Sequence, residues 1–500
     1  MALAAGCAVG PDFQRPAAPD VDGYTPEPLS AETTSADVAG GGAQRFVPDR
    51  DIPGEWWALF HSQPLDDLIR QALKANPDLQ AAQAALREAQ ENVRAEEGFF
   101  FPTVDANLSA TRQKFNAASF GQPAPPGGSP IFNLYDASVS VSYNPDVFGG
   151  TRRQVESLTA QAENQRFQLE AAYLTLTSNV VTSAVQEASL RGQIQATEEI
   201  IKAESNQLDV LRQQFELGGV SKSDVLAQEA TLRQTQATLP PLQKQLAQQR
   251  NRLTALAGSF PSQEILERFD LATLELPQEL PVSLPSKLVA QRPDIRSAEA
   301  LMHSASAQIG VATANQLPQI TLSAQYGTQA LTIGSMFTPA TAFWSIAGSI
   351  VQPLFDAGTR LHKKRAAVAD YDRAAAQYRS TVLTAFQNVA DSLRALQSDA
   401  DALRAQFEAD RSAADSLAIA REQFRVGAIS YLTLLNAQNT YEETQISLVQ
   451  AQAARYADTA ALFVALGGSW WNRSDVAAAA SADQPAPASP DQSSRTGPNR

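Results

Sequence analysis

A period-two alternation of apolar and polar positions recurs in four short segments of the chain. These segments are residues 103–112, 134–144, 319–327 and, more weakly, 343–351. In the second, Tyr135, Val139 and Tyr143 alternate with Asp136 and Ser140. Such alternation predicts β-strands with one apolar and one polar face. Each segment has about nine to eleven residues, which crosses a bilayer when tilted, although a half-buried soluble sheet has the same pattern.

Two features beside these strands favour a membrane location. Aromatic residues lie near strand ends, at residues 99–101 and at Tyr143 and Phe148, where an aromatic girdle meets lipid headgroups. The loop of residues 113–130 is rich in Pro and Gly, as expected for an outward loop. Because about eight strands are needed to close a barrel, several chains must share one if these strands span a membrane. Three chains would supply about twelve strands.

Helical periodicity of unusual length follows the second and fourth predicted strands. Helices over residues 150–218 and 358–427 would each be about 100 Å long. Both have the four-three apolar spacing of a narrow coiled-coil seam. The seam residues are Leu169, Tyr173, Leu176 and Val180 in the first helix, and Val382, Phe386, Val389, Leu393, Leu396, Ala400, Leu403 and Phe407 in the second. Shorter helices over 78–98 and 221–258 together approach this length, which predicts a wall of antiparallel helices.

The sequence repeats itself at an offset of about 210 residues, which indicates an internal duplication. RQQFELGGVSKSDVLAQ returns as REQFRVGAISYLTLLNAQ, and NPDLQAAQA at Asn76 returns as RPDIRSAEA at Arg292. Pro145, Gly150, Thr151 and Arg152 return as Pro353, Gly358, Thr359 and Arg360. Each copy is predicted to run helix, strand, loop, strand, long helix, turn, helix.

The predicted domain organisation has two repeats and four other segments. Residues 1–7 are the remnant of a lipoprotein signal peptide, 8–54 an extended arm, 55–260 the first repeat, 261–284 a linker, 285–471 the second repeat and 472–500 a disordered Ala/Ser/Pro-rich tail. Neither the arm nor the tail is expected to carry the fold.

Composition and charge exclude several classes of function. A net charge of -14 argues against nucleic-acid binding, which needs clustered Lys and Arg. No apolar run reaches the about 18 residues of a spanning helix. The three histidines, His61, His303 and His362, lack metal-ligand spacing and are expected to be ordinary polar surface. Without a phosphate-binding loop or nucleophile motif, neither enzyme activity nor a cofactor is expected.

The single cysteine, Cys7, follows small residues and precedes a Pro-rich stretch. This pattern is typical of the end of a bacterial lipoprotein signal peptide, so we expect Cys7 to be acylated. The charged and apolar regions of such a peptide are missing, which indicates a start codon upstream or a trimmed chain. The alternative is an unmodified cysteine in a flexible N-terminus.

The repeated stretch has the turn chemistry of a helical hairpin. Gly218 and Gly427 can end a helix in the left-handed conformation. Ser221 and Ser430 are good N-caps for the next helix, and Ser221 with Asp224 has capping-box spacing. The sequence therefore predicts two αα-hairpin tips, one at the end of each long helix.

These features together resemble the outer-membrane efflux proteins, and among them the OprM and NodT-type lipoproteins related to TolC. The resemblance rests on the start around Cys7, the Trp56-Trp57 pair, the Pro-Asp and Gly-Thr-Arg helix starts and the Phe-x-x-Gly-x-x-Ser tips, and covers roughly residues 7–471. It implies a mixed α and transmembrane-β fold. Four strands per chain would enter the shared twelve-stranded barrel of a homotrimer, and the long antiparallel helices would form a periplasmic α-barrel.

The resemblance also implies a function, partners and sites. The protein would be anchored by lipid and barrel in the outer membrane, extend into the periplasm, and passively conduct drugs or other small compounds outward. It would receive them through a periplasmic membrane-fusion adaptor from an inner-membrane resistance-nodulation-division pump. The implied adaptor-docking residues are Leu217, Gly218, Gly219, Val220, Val426, Gly427, Ala428 and Ile429, and the implied periplasmic constriction residues are Thr433, Asn436 and, as the nearest acidic candidate, Asp224.

Two other functions stay open at this point. An exit duct for type I polypeptide secretion belongs to the same family, but the lipoprotein-type start disfavours it. A soluble coiled-coil scaffold would use the long helices, but it is disfavoured by the four alternating strands.

Overall fold

The computed structural model describes residues 8–114 and 130–473, and within them the same order of helices and strands occurs twice. In chain order the elements are β1 (Arg45–Pro48), α1 (Gln63–Ala75), α2 (Pro77–Glu97), β2 (Thr103–Lys114), β3 (Ile131–Tyr143), α3 (Gly150–Glu216), α4 (Lys222–Leu256), β4 (Glu279–Val282), α5 (Pro285–Gln291), α6 (Pro293–Ala314), β5 (Gln319–Ala330), β6 (Ala342–Val351), α7 (Thr359–Arg425) and α8 (Tyr431–Ala465). The four predicted strands, both long helices and the shorter helices after the turns are confirmed. Most of the predicted loop 113–130 lies outside the described residues.

The strands β2, β3, β5 and β6 form one antiparallel sheet in that order. Directly paired residues share a face, because side chains alternate along each strand. One row across the sheet is Val104, Val141, Ala324 and Ile346, and the next is Asp105, Ser140, Gln325 and Ser345. The sheet therefore has one apolar and one polar face, as the alternation predicted. Its edge strands are β2 and β6.

The long helices α3 and α7 each contain 67 residues, so each is about 100 Å long. Their predicted seams are mostly buried, with Val180 in α3 and Val389, Leu396 and Leu403 in α7 fully enclosed. The seam residues that stay partly exposed are Leu169, Tyr173, Phe386 and Phe407. The helices are therefore stabilised mainly by packing of this apolar stripe against neighbouring helices, and less by the intrinsic helix propensity of their residues. Among the described residues, no helix is both long and apolar enough to cross a membrane.

The chain forms two compact units, and the long helices contribute to both. The first unit contains the four-stranded sheet and residues 83–167 and 297–380. Residues 8–16 pack in it as well, where the Val9 N–H donates to the Phe148 carbonyl (3.1 Å). Phe13 stacks on His303, whose ring contacts the Glu156 carboxylate at 2.9 Å. His303 is thus not ordinary polar surface, because it fixes the arm.

The second unit contains both hairpins and a core built partly by the arm. Strand β1 pairs in parallel with β4, which lies in the segment expected to be a linker. The buried Arg455 side chain of α8 donates hydrogen bonds to the carbonyls of Gly40 (3.1 Å) and Gly42 (3.0 Å) and to the side chain of Gln44 (3.1 Å). The expectation that the arm does not carry the fold is wrong, because its backbone and polar side chains pair with distant parts of the chain.

Candidate functional site: the hairpin tips

The first tip joins α3 to α4 through a left-handed glycine. Gly218 has a φ of 77°. Its N–H donates to the Phe215 carbonyl (2.9 Å), and the Gly219 N–H donates to the Gln214 carbonyl (2.8 Å). These bonds satisfy carbonyls that the end of a helix leaves unpaired. The predicted helix stop at Gly218 is confirmed.

A reciprocal capping box starts the returning helix. The Asp224 N–H donates to the Ser221 hydroxyl (3.3 Å), and the Asp224 carboxylate accepts from the Ser221 N–H (3.0 Å) and hydroxyl (2.7 Å). This arrangement confirms the predicted box and satisfies two donors that the helix start leaves unpaired. It also occupies one oxygen of the carboxylate that was the acidic candidate for the constriction.

The second tip repeats this backbone with a weaker cap. Gly427 has a φ of 75°, and its N–H donates to the Phe424 carbonyl (2.9 Å). The Ser430 hydroxyl accepts from the Thr433 N–H (3.3 Å). Because Thr433 stands where the first tip has Asp224, no carboxylate returns the bond to the backbone of Ser430.

The four large apolar tip residues divide into an outward and an inward pair. Leu217 and Val426 are 87% and 63% exposed, whereas Val220 and Ile429 pack against a buried cluster. The cluster consists of Leu211, Leu417, Ala420, Tyr431, Leu434 and Leu435. Val220 and Ile429 therefore anchor the tips from inside. Sequence spacing does not distinguish the two sets, because the direction of a turn side chain depends on tertiary packing.

The predicted constriction residues lie on two different helices. Thr433 and Asn436 are exposed on the first two turns of α8, and Asp224 lies on the first turn of α4. The Asn436 carbonyl accepts from the Thr440 hydroxyl (3.0 Å). Their role in a constriction stays a prediction, and so does acylation of Cys7, which lies outside the described residues.

A buried polar network near the tips links the two hairpins. Tyr431 of α8 donates to Gln228 of α4, and the Gln228 amide donates to the backbone carbonyl of Glu204 in α3 (3.1 Å). The Glu204 carboxylate accepts from the Thr235 hydroxyl (3.0 Å). Burial, and to a smaller extent the nearby Glu442 carboxylate, raises the pKa of Glu204 to about 7.

Sequence reasoning missed this network, although one signal was present. Glu204 lies four residues after buried Ile200 and four before buried Leu208, so it occupies the apolar stripe of α3. A carboxylate at such a position is either buried with hydrogen-bond partners or disrupts the packing of the apolar stripe. Among the residues that the structure describes, no group of His, Cys, Asp and Glu side chains could hold a metal ion.

The sheet, the long helices and the paired tips together define the class of protein. A two-faced antiparallel sheet continuing into 67-residue helices that turn back at matched hairpins is the architecture of TolC-like outer-membrane channels. A solved structure described as the outer-membrane channel OprN is 27% identical, with a TM-score of 0.82, over 93% of this chain and 100% of that chain.

Sequence comparison gives the same result. The family model for outer membrane efflux protein matches residues 68–259 and 284–468. The probable efflux pump outer membrane protein TtgC of Pseudomonas putida is 30% identical over 477 residues, covering 94% of each chain. The pyoverdine export outer membrane protein OpmQ of the same organism is 28% identical, covering 85% of this chain and 89% of its own.

This chain belongs to the outer membrane efflux protein family. It is an outer-membrane channel component of an efflux system and extends from that membrane into the periplasm. The family consists of channels rather than enzymes. Membership also makes the alternative of a soluble coiled-coil scaffold wrong.

Proposed function

We propose that the protein is the exit duct of a tripartite efflux system and passively conducts small compounds from the periplasm to the exterior. Periplasmic entry would follow docking to a membrane-fusion adaptor and an inner-membrane resistance-nodulation-division pump. The observation that carries this proposal is the four-stranded sheet with one apolar and one polar face and two edge strands. Relatives named as efflux pump components favour small compounds over secreted polypeptide.

The sheet edges support a shared barrel. Within the described chain, β2 and β6 each have one side without a strand partner. In hydrocarbon, unpaired backbone groups cost several kcal/mol each, so open edges do not occur there. We therefore propose that β2 of one copy pairs with β6 of the next in a homotrimer, which gives about twelve strands. The apolar face would contact lipid and the polar face would line the channel.

The two halves of the chain support an internal duplication. The family model matches once in each half, and each half contributes two strands, a 67-residue helix and a hairpin tip. We propose residues 55–260 and 285–471 as the repeats. Their helices would then alternate around a periplasmic α-barrel when three chains assemble.

The packing of the described N-terminus supports a lipid anchor at Cys7. A Cβ on Gly149 would lie 2.5 Å from the Cα of Ala8, so the two backbones touch. Together with the bond from Val9 to Phe148, this contact holds Ala8 at the junction of β3 and α3. An acyl group on the preceding residue would enter the membrane next to the end of a spanning strand. This lipid would reinforce anchoring by the barrel.

The exposed apolar residues of the tips support docking to the adaptor. Leu217 and Val426 project from the turns and do not belong to the buried cluster. A partner that covers both would gain the free energy of apolar burial, about 25 cal/mol for each Å². The turn glycines allow its backbone to approach closely.

The test is efflux in cells that lack their own outer-membrane channel. We expect the double variant Leu217→Glu, Val426→Glu to lose most efflux, because buried carboxylates oppose docking, while its purified channel still conducts in planar bilayers. The matched control is the double variant Phe260→Glu, Leu266→Glu, which adds the same two charges at sites that are 76% and 91% exposed and lie away from the tips. Full efflux by the tip variant would overturn docking at the tips, and absence of conductance by wild-type protein would overturn the channel function.

A further inference from the structure

A dense basic segment follows the last strand of the sheet. Arg360, Lys363, Lys364 and Arg365 lie in the first two turns of α7, and Asp356 is the only acidic residue in residues 351–368. The chain as a whole carries a net charge of -14. This local excess of positive charge is therefore opposite in sign to the rest of the molecule.

The fold of the chain does not account for these cations. Arg360 pairs with Asp356 at 3.2 Å, but Lys363, Lys364 and Arg365 form no ion pair within the described residues. Cations near a helix N-terminus oppose the helix dipole, and neighbouring like charges repel. A local arrangement that disfavours the helix, and that Asp356 compensates only at Arg360, is expected at a functional site.

Exposed apolar residues lie directly before the basic segment. Leu354 and Phe355 are 93% and 90% exposed, and Ile350 at the end of β6 is exposed as well. Apolar and aromatic side chains followed by cations are typical of the boundary between hydrocarbon and headgroups. The order along the chain is thus a strand, two apolar side chains, and then the basic residues.

The equivalent junction of the first half is built differently. Arg153 at the start of α3 is buried and pairs with Asp12 (2.6 Å) and Glu156 (2.7 Å). The arm covers this junction, because Ala8 contacts Gly149. Residues 143–160 carry two basic and two acidic side chains. The first junction is therefore electrically neutral and covered by the arm. The second carries an excess of basic side chains, and the described residues of the arm do not cover it.

We propose that residues 350–365 bind the headgroups of anionic phospholipids in the periplasmic leaflet of the outer membrane. The apolar side chains would enter the hydrocarbon, while Lys363, Lys364 and Arg365 contact lipid phosphates. This site rests on the proposed placement of the sheet in the membrane. The acylated arm would then attach the first junction to the membrane, and the basic side chains would attach the second junction to lipid headgroups.

The experiment compares lipid retention by purified protein in mild detergent. Wild-type protein and the triple variant Lys363→Gln, Lys364→Gln, Arg365→Gln are mixed with equal amounts of phosphatidylglycerol and phosphatidylethanolamine, and bound lipid is quantified. We expect the variant to need at least about tenfold more phosphatidylglycerol for the same occupancy. The control Arg379→Gln, Arg404→Gln, Arg411→Gln makes the same charge change on exposed positions of α7 and should leave retention unchanged.

Three outcomes would overturn the lipid site. They are equal phosphatidylglycerol retention by wild type and variant, an equal loss in the control, and an altered anion-to-cation selectivity in planar bilayers with unchanged lipid retention. The last would assign the cations to the channel lining. Conductance by wild-type protein reports the proposed function separately, so the two can fail independently. If the triple variant does not assemble, the single variant Lys364→Gln replaces it, and we expect it to lose less phosphatidylglycerol than the triple variant would.

Discussion

Gly218 and Gly427 have the same left-handed conformation, and in both a Cβ would meet no atom within 4 Å. Any effect of substitution is therefore conformational and not steric. The residue types of this turn made its geometry predictable, since glycine adopts positive φ without strain. Which side chains point outward was not predictable, because Val220 and Leu217 are both apolar and only the buried cluster separates them.

Replacing Gly218 by Ala tests this interpretation. We expect the opening free energy of the first tip to fall by about 1 kcal/mol, the cost of a left-handed L-residue. Hydrogen exchange of the backbone amides around residues 212–225 measures it. Gly219→Ala is the control, because Gly219 does not have a positive φ and its added Cβ would meet the Gln214 carbonyl at 3.4 Å. Equal effects of both substitutions would contradict the conformational explanation.

The buried carboxylate of Glu204 should make stability depend on pH. Its pKa rises from an ordinary 4.5 to about 7, because burial and Glu442 disfavour the charged form. Between these values the folded protein holds a proton that the unfolded chain has released, so stability falls as pH rises through this window. The total effect is at most about 3 kcal/mol.

The variant Glu204→Gln should reduce this dependence. We follow thermal unfolding in detergent by circular dichroism. Between pH 5 and pH 7.5 we expect the melting temperature of the variant to change less than that of wild-type protein. Glu229→Gln on α4 removes a partly exposed carboxylate and should leave the slope unchanged. A slope that is the same in all three proteins would show that Glu204 titrates normally.

At the scale of elements, periodicity decided what the sequence could predict. A strong period-two pattern marks the four strands of the sheet, because one face of each strand is apolar. A heptad pattern marks the long helices α3 and α7, because one stripe of each helix is mostly buried. The arm has no such period. Its order comes from single contacts with residues several hundred positions away, such as Tyr24 with Ser283 (2.8 Å).

Arg455 should be the main attachment of the arm to α8. It is fully buried and donates to several acceptors in residues 33–44, so the variant Arg455→Met removes the donor that these acceptors share. We expect a loss of about 3 kcal/mol in local stability and faster proteolysis within residues 33–48. Arg411→Met, at an exposed position of α7, provides the comparison and should not change the cleavage rate. Unchanged cleavage in Arg455→Met would mean that β1 and β4 hold the arm without it.

At the scale of the whole molecule, the proposed homotrimer gives a mass that can be measured. If β2 and β6 pair between copies in the membrane, as proposed, the protein purified from outer membranes in mild detergent should have about three times the chain mass of 53.6 kDa. Light scattering coupled to size exclusion measures this. The same sample heated in denaturant should give single chains. A stable, conducting monomer would contradict the shared barrel.

The proposed pairing of β2 with β6 of the next copy has a genetic consequence. If three chains must close one ring, a variant with a damaged edge spoils every assembly that it joins. In cells that make equal amounts of damaged and intact chains, only about one assembly in eight is wholly intact. Edge-strand alleles should therefore be dominant over the wild type, whereas a simple loss of expression should be recessive.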